Sequence, residues 1–197
     1  MDYLILIDKF NPIPDDALRG LKLTKVNGKL VEKQTAFYLQ MMLDELYKSK
    51  LDIKVLSAYR SIDYQQMLWD KSINDEISHG ANYSDAVDKV SKSLAIPGAS
   101  EHNLGLAVDF ATPESEDTED DFFKSPQSKW LCRNSANYGF ILRYPRLKEH
   151  ITGICYEPWH YRYVGTEAAR LIKDNGLCLE EFLHFYQDKF FKSSNNN

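Results

Sequence analysis

Between Lys33 and Lys50 apolar residues recur at intervals of three and four, with Phe37, Met41, Leu43, Leu46 and Tyr47 set among polar and charged neighbours. That period predicts an amphipathic helix. Directly afterwards the apolar residues close up as Ile53, Val55 and Leu56, and Lys54 to Ala58 reads as a short strand. A second helix is expected from Ile62 to about Asn74, and a third from Ser84 to Leu94 with Ser84 as its N-cap. Gly105 sets off a strand, Leu106 to Ala111. Ser125 as cap, Pro126 at the first position and Gly139 past the end frame a helix through Gln127 to Tyr138. Phe140–Tyr144 and Trp159–Val164 are β-rich, Thr166 can cap a helix ending at Gly176, and Leu179 to Phe191 forms the last helix.

Helices and short strands mix here without a βαβ rhythm or a glycine-rich phosphate loop, which makes the fold class α+β. The chain shows no repeat and no linker long enough to divide it; the acidic stretch Thr112 to Asp121 is a loop. Residues 1–192 are therefore expected to form a single domain, with 193–197 as a frayed tail. A length of 197 residues with 43% hydrophobic content supports a substantial core.

The net charge of −5 and the lack of any lysine- or arginine-rich run argue against a nucleic-acid partner. The longest apolar run, Leu4 to Ile7, falls far short of the ~20 residues of a membrane span. Met1 to Asp8 has no basic n-region or cleavage site, so the expected location is the cytoplasm, or outside it if a leader or anchor has been removed. Cys132, Cys155 and Cys178 are widely separated and lack the paired spacing of a zinc ribbon; they read as buried free thiols.

Two stretches carry candidate chemistry, Ser100 through Asp109 and Tyr156 through His160. They hold His102, Asp109 and His160, with Glu157 three residues before the second histidine. A catalytic zinc needs three N/O ligands, an open fourth position, and a carboxylate able to move a proton. On one unbroken strand His102 and Asp109 would point to opposite faces, but a turn at Gly105 lets His102 fold back over Asp109. Pro158 breaks the second stretch in the same way. Asp109 lies between Ala107-Val108 and Phe110-Ala111, so its carboxylate is expected to be buried and a cation is its natural compensation. Spacing alone leaves Glu157 open between that chemistry and a surface glutamate beside a turn. His79, His150 and His184 read as surface or structural residues, and Trp159 as packing that fixes the angle of His160. Arg60 follows an apolar strand and a tyrosine, which suits an inward-facing strand end.

In four blocks the chain resembles the VanY-type D-alanyl-D-alanine carboxypeptidases of the LAS metallopeptidase group, whose fold is shared by VanX dipeptidases, VanXY bifunctional enzymes and the hedgehog signalling domain. The blocks are Ser57-Ala58-Tyr59-Arg60-Ser61 with Gln65; Pro97 through Asp109; Tyr138 through Pro145; and Ile151 through Gly165, within about residues 50–185. The resemblance implies a LAS/hedgehog-like domain with a small, mainly antiparallel sheet flanked by helices. It implies one zinc ion on His102, Asp109 and His160, Glu157 as general base, and Arg60 polarising the scissile carbonyl. Ser100 and Gln65 would help hold the substrate terminus. The implied activity is removal of the terminal D-alanine from peptidoglycan stem pentapeptides or precursors ending in D-Ala-D-Ala, with dipeptidase activity as in VanXY enzymes as an addition. Dipeptide-cleaving members often carry an aspartate where this chain has Ser57; an acid there would suit a free ammonium, so Ser57 leans the expectation towards carboxypeptidase. The alternatives are an L,D-carboxypeptidase or endopeptidase of the same fold, and a non-catalytic zinc-stabilised binding domain.

Overall fold

The computed structural model describes residues 1–118 and 120–193, so the expected tail lies, from residue 194 on, outside the described residues. Its first pairing is one that hydrophobic period did not predict. Leu23–Val26 (β1) and Lys29–Glu32 (β2) form an antiparallel hairpin closed by Asn27 and Gly28 at φ 47° and 80°. Asn-Gly is the dipeptide that tolerates two consecutive left-handed residues, which a two-residue hairpin turn demands.

Helix α1 (Lys33–Lys48) starts where the Glu32 carboxylate accepts from the backbone N–H groups of Gln34 and Thr35. Its buried stripe is Thr35, Ala36, Leu39, Met42, Leu43 and Leu46, whereas Phe37, Met41 and Tyr47 are 62%, 44% and 74% exposed. The expected helix is correct and most of its expected face is not. Apolar residues run nearly all the way round this helix, so two stripes fit the period and the tertiary contacts select one.

The remaining helices are α2 (Ile62–Ser78), α3 (Tyr83–Val90), α4 (Pro126–Asn134), α5 (Glu149–Thr152), α6 (Thr166–Asp174) and α7 (Leu179–Ser193). Asn82, not Ser84, caps α3, its side-chain oxygen accepting from the Asp85 N–H. Ser125 caps α4 as expected, and the helix passes into a 3-10 turn, Ser135–Tyr138, before Gly139. Thr166 is the first helical residue of α6, and Gly165 occupies the cap position. Of the three cysteines only Cys178 is buried; Cys132 and Cys155 are exposed. Cys132 lies at the surface of a short helix, with its Sγ 3.6 Å from the hydroxyl of buried Tyr161.

The central sheet contains β3 (Lys54–Ser57), β4 (Ala107–Ala111), β5 (Phe140–Leu142) and β6 (His160–Tyr163) in the order β3-β4-β6-β5, every pair antiparallel. Side chains alternate across such a sheet. Val55, Val108, Phe110, Phe140, Tyr161 and Tyr163 join Leu39, Met42 and Leu46 of α1 in one apolar cluster. The intervening residues, Asp109, His160 and Arg162, face the other side. A second cluster sits where α6 and α7 pack on Ile141 and Val164. The result is an α+β fold in which one sheet face packs on α1 and the other carries Asp109, His160 and Arg162.

Candidate metal centre

Strand register brings the first two candidate ligands together. Asp109 on β4 is paired directly with His160 on β6, and with Ser57 on β3. Side chains opposed in this way lie on the same face within contact distance. His102 arrives by a different route, on the 3-10 turn Glu101–Leu104 that precedes β4. Gly105 ends that turn at φ 67°, and a Cβ there would stand 2.7 Å from the backbone nitrogen of Glu32, so only glycine fits this reversal. Donor atoms of His102, Asp109 and His160 lie within 4.8 Å of one another, and all three residues are buried.

Hydrogen bonding sets up the histidines as ligands. His102 Nδ1 lies 2.6 Å from the Ala58 carbonyl oxygen, which can only accept, so Nδ1 carries the proton. Its Nε2 lone pair is thereby left as an acceptor, with Arg60 Nη2 at 3.1 Å and Asp109 Oδ2 at 3.2 Å. Burial, aided by the Arg60 charge, lowers the His102 pKa to about 4 and keeps the ring neutral. His160 behaves differently: burial alone would lower its pKa, but the Asp109 and Glu101 carboxylates outweigh it and raise the value to about 9. His160 Nδ1 stands 3.0 Å from Asp109 Oδ1 and 3.6 Å from Glu157 Oε2. Asp109 is held well below the usual carboxylate range; burial opposes this, and His102, His160 and Arg60 prevail.

The donor set fits a divalent cation. Asp109 Oδ1 is buried and makes no hydrogen bond, although His160 Nδ1 is close by. Two imidazoles and one carboxylate are the N/O set of a three-ligand zinc site. Glu157 adds a second buried carboxyl, pushed up to about 8 by burial against the opposing charge of His160.

Arg60 is clamped on three sides. Its Nε donates to Ser57 Oγ at 2.8 Å, its Nη1 to Gln65 Oε1 at 3.3 Å, and its Nη2 to Asp109 Oδ2 at 2.5 Å. Gln65 is fully buried, and its Nε2 donates to the Ala95 carbonyl at 2.7 Å. The sequence leads one to expect Gln65 to help hold the substrate terminus; both ends of its amide are engaged by protein, one of them on the Arg60 guanidinium. Ser100 does line the cavity over the site, about 150 Å³ in volume, together with Arg60, His102, Glu157, Trp159 and His160. Trp159 also packs against the main apolar cluster. His79, His150 and His184 are exposed and away from this group.

Sequence reasoning missed the layer beneath. Glu101 is 2% exposed; its Oε1 accepts from Arg143 Nε at 2.7 Å and pairs ionically with Arg162 Nη1, also at 2.7 Å. Arg143 in turn donates two hydrogen bonds to Glu180 on α7. A signal was present: Arg162 lies between Tyr161 and Tyr163, and a charge inside an apolar strand requires a buried partner.

The D-alanyl-D-alanine carboxypeptidase family VanY matches residues 28–166, more than half of the chain. A D-alanyl-D-alanine carboxypeptidase of Enterococcus faecalis is 39% identical over 182 residues, covering 92% of this chain and 65% of that protein. Across its curated relatives the chain spans between 50% and 66% of their length. Among solved structures, VanYB in complex with D-alanine-D-alanine is 38% identical with a TM-score of 0.83, covering 93% of this chain and 98% of that one. A VanB-type vancomycin-resistance D,D-pentapeptidase VanY in complex with Zn(II) gives 38% identity and a TM-score of 0.82, over 93% and 99% of the two chains. Among the described residues no helix is long and apolar enough to cross a membrane.

Proposed function

The chain belongs to the VanY D-alanyl-D-alanine carboxypeptidase family, and from that membership we propose that it is a zinc-dependent D,D-carboxypeptidase. Its substrate in this reading is a peptidoglycan stem pentapeptide, or a precursor, ending in D-Ala-D-Ala, and residues 1–192 act as one catalytic domain. The observation that carries the proposal is the convergence of buried His102, Asp109 and His160 beside a buried Glu157 on the wall of one cavity.

His102 through Nε2, Asp109, and His160 through Nδ1 are assigned as the zinc ligands. Bound there, zinc supplies Lewis acidity that makes water acidic near neutral pH. Glu157 takes the proton of the attacking water and returns it to the amine of the departing D-alanine. The Arg60 guanidinium, always charged and forked, offers N–H groups to the oxyanion that forms at the scissile carbonyl. Ser57 and Gln65 hold that guanidinium in place, and Ser100 on the cavity wall receives the substrate terminus.

Mass spectrometry of a muramyl pentapeptide incubated with zinc-loaded protein, beside Glu157→Ala, tests this. Loss of a single alanine with the wild type alone is expected. An intact pentapeptide overturns the D,D-assignment, and cleavage confined to the tetrapeptide replaces it with an L,D-carboxypeptidase. Comparable rates on free D-Ala-D-Ala and on the pentapeptide would refute the bias assigned to Ser57.

A further inference from the structure

Glu101 has one oxygen that the arginine pair does not use. Oε1 accepts a hydrogen bond from Arg143 Nε and forms an ion pair with Arg162 Nη1 at 2.7 Å, while Oε2 is buried and makes no hydrogen bond. On the facing ring His160 Nε2 is buried and makes no hydrogen bond either, and it lies 3.5 Å from Glu101 Oε2. A buried carboxylate oxygen and a buried ring nitrogen, each lacking a partner and each facing the other, form a pair at the outer limit of a hydrogen bond.

We propose that Glu101 is the positioning residue of this site, accepting the Nε2 proton of His160 so that the Nδ1 lone pair is presented to the metal beside Asp109. The inference rests on the metal assignment made above and adds a residue to which no role in it has been given. Metal-bound histidines are generally oriented by a carboxylate or carbonyl on the far ring nitrogen, which selects the tautomer and strengthens the ligand. His102 obtains that orientation from the Ala58 carbonyl. His160 has no equivalent carbonyl contact at Nε2, and Glu101 is the carboxylate that faces it.

The position of Glu101 is itself determined from far away. Arg143 is held by the Glu180 carboxylate at 2.7 and 3.0 Å, which ties Glu101 to α7. Arg162 donates through Nη2 to the backbone carbonyls of Tyr3 and Ile5, which ties it to the N-terminal segment. Both ends of the chain thus bear on the angle of one imidazole through a single carboxylate.

Two measurements test this without relying on catalysis. In ¹⁵N-labelled wild-type protein loaded with ¹¹³Cd, cadmium coupling at His160 Nδ1 and a slowly exchanging Nε2 proton are expected; coupling at Nε2 overturns the proposal. In Glu101→Gln the amide must turn a donor towards either the arginines or His160, and zinc affinity, read by competition with a chelator, is expected to fall by about 10–100-fold. A purely structural Glu101 would lower the Tm of metal-free Glu101→Gln and leave zinc affinity unchanged, which also overturns it. Should that variant fail to fold, the wild-type coupling experiment still decides the matter. A wild type that takes up neither metal overturns the proposed function together with this inference, whereas tight wild-type binding with unchanged affinity in the variant overturns the inference alone.

Discussion

Replacing Glu157 by glutamine should lower activity and raise the stability of the metal-free protein. The carboxyl is 5% exposed, and burial lifts its pKa from 4.5 to about 8. A carboxyl with a raised folded pKa penalises the folded state as pH climbs above the unfolded value, because the unfolded chain releases its proton first. The penalty grows between pH 4.5 and about 8 and is constant above that range. At about 1.4 kcal/mol per pH unit it amounts to roughly 3 kcal/mol at pH 7. Glutamine is nearly isosteric and has no charge to desolvate, so the variant should lack this slope. Urea unfolding of metal-free wild type and Glu157→Gln at pH 5, 6, 7 and 8 reads it directly: the two curves should nearly coincide at pH 5 and separate steadily to pH 8. Turnover of the zinc-loaded variant should meanwhile fall by at least ~100-fold, the scale of general acid–base catalysis. A stability difference that does not change with pH would refute the burial argument, and wild-type turnover would refute the assigned role.

His160→Ala removes one of the three donors and should abolish stoichiometric zinc in purified protein; one equivalent by metal analysis would contradict the ligand set. Gly105→Ala forces an L side chain to φ 67° with its Cβ 2.7 Å from Glu32 N, and should destabilise the protein by about 2 kcal/mol or more, a Tm loss of several degrees by calorimetry. Glu101 and Asp109 are both held below the ordinary carboxylate range, so their stabilisation is present above about pH 4.5 and is lost as pH falls towards their folded values. Guanidinium unfolding should accordingly show stability dropping from pH 5 to pH 3, and a flat profile there would show that the arginine and histidine partners contribute nothing.

What the sequence determined by itself is local. Ser125 and Pro126 place the start of α4, because an N-cap and a pre-set φ act within one turn of the chain. Asn27-Gly28 encodes a hairpin in the same local way, though hydrophobic period passes over it. Gly105 and Pro158 mark the two places where regular strand cannot continue, and the candidate ligands are the polar residues beside those breaks. The tertiary structure decided everything that depends on which segment lies alongside which. It chose the Leu39–Met42–Leu46 stripe of α1 over the one through Phe37 and Met41, since a helix apolar on several sides is oriented only by what packs on it. It set Asp109 opposite His160, a register that no spacing of fifty-one residues encodes and that a slip of one position would turn to the wrong face. It drew Gln65 inward onto Arg60 and Glu101 onto two arginines, one on β6 and one just past β5. Buried polar groups take partners by proximity in space, and proximity in space is what a linear pattern of residues does not contain.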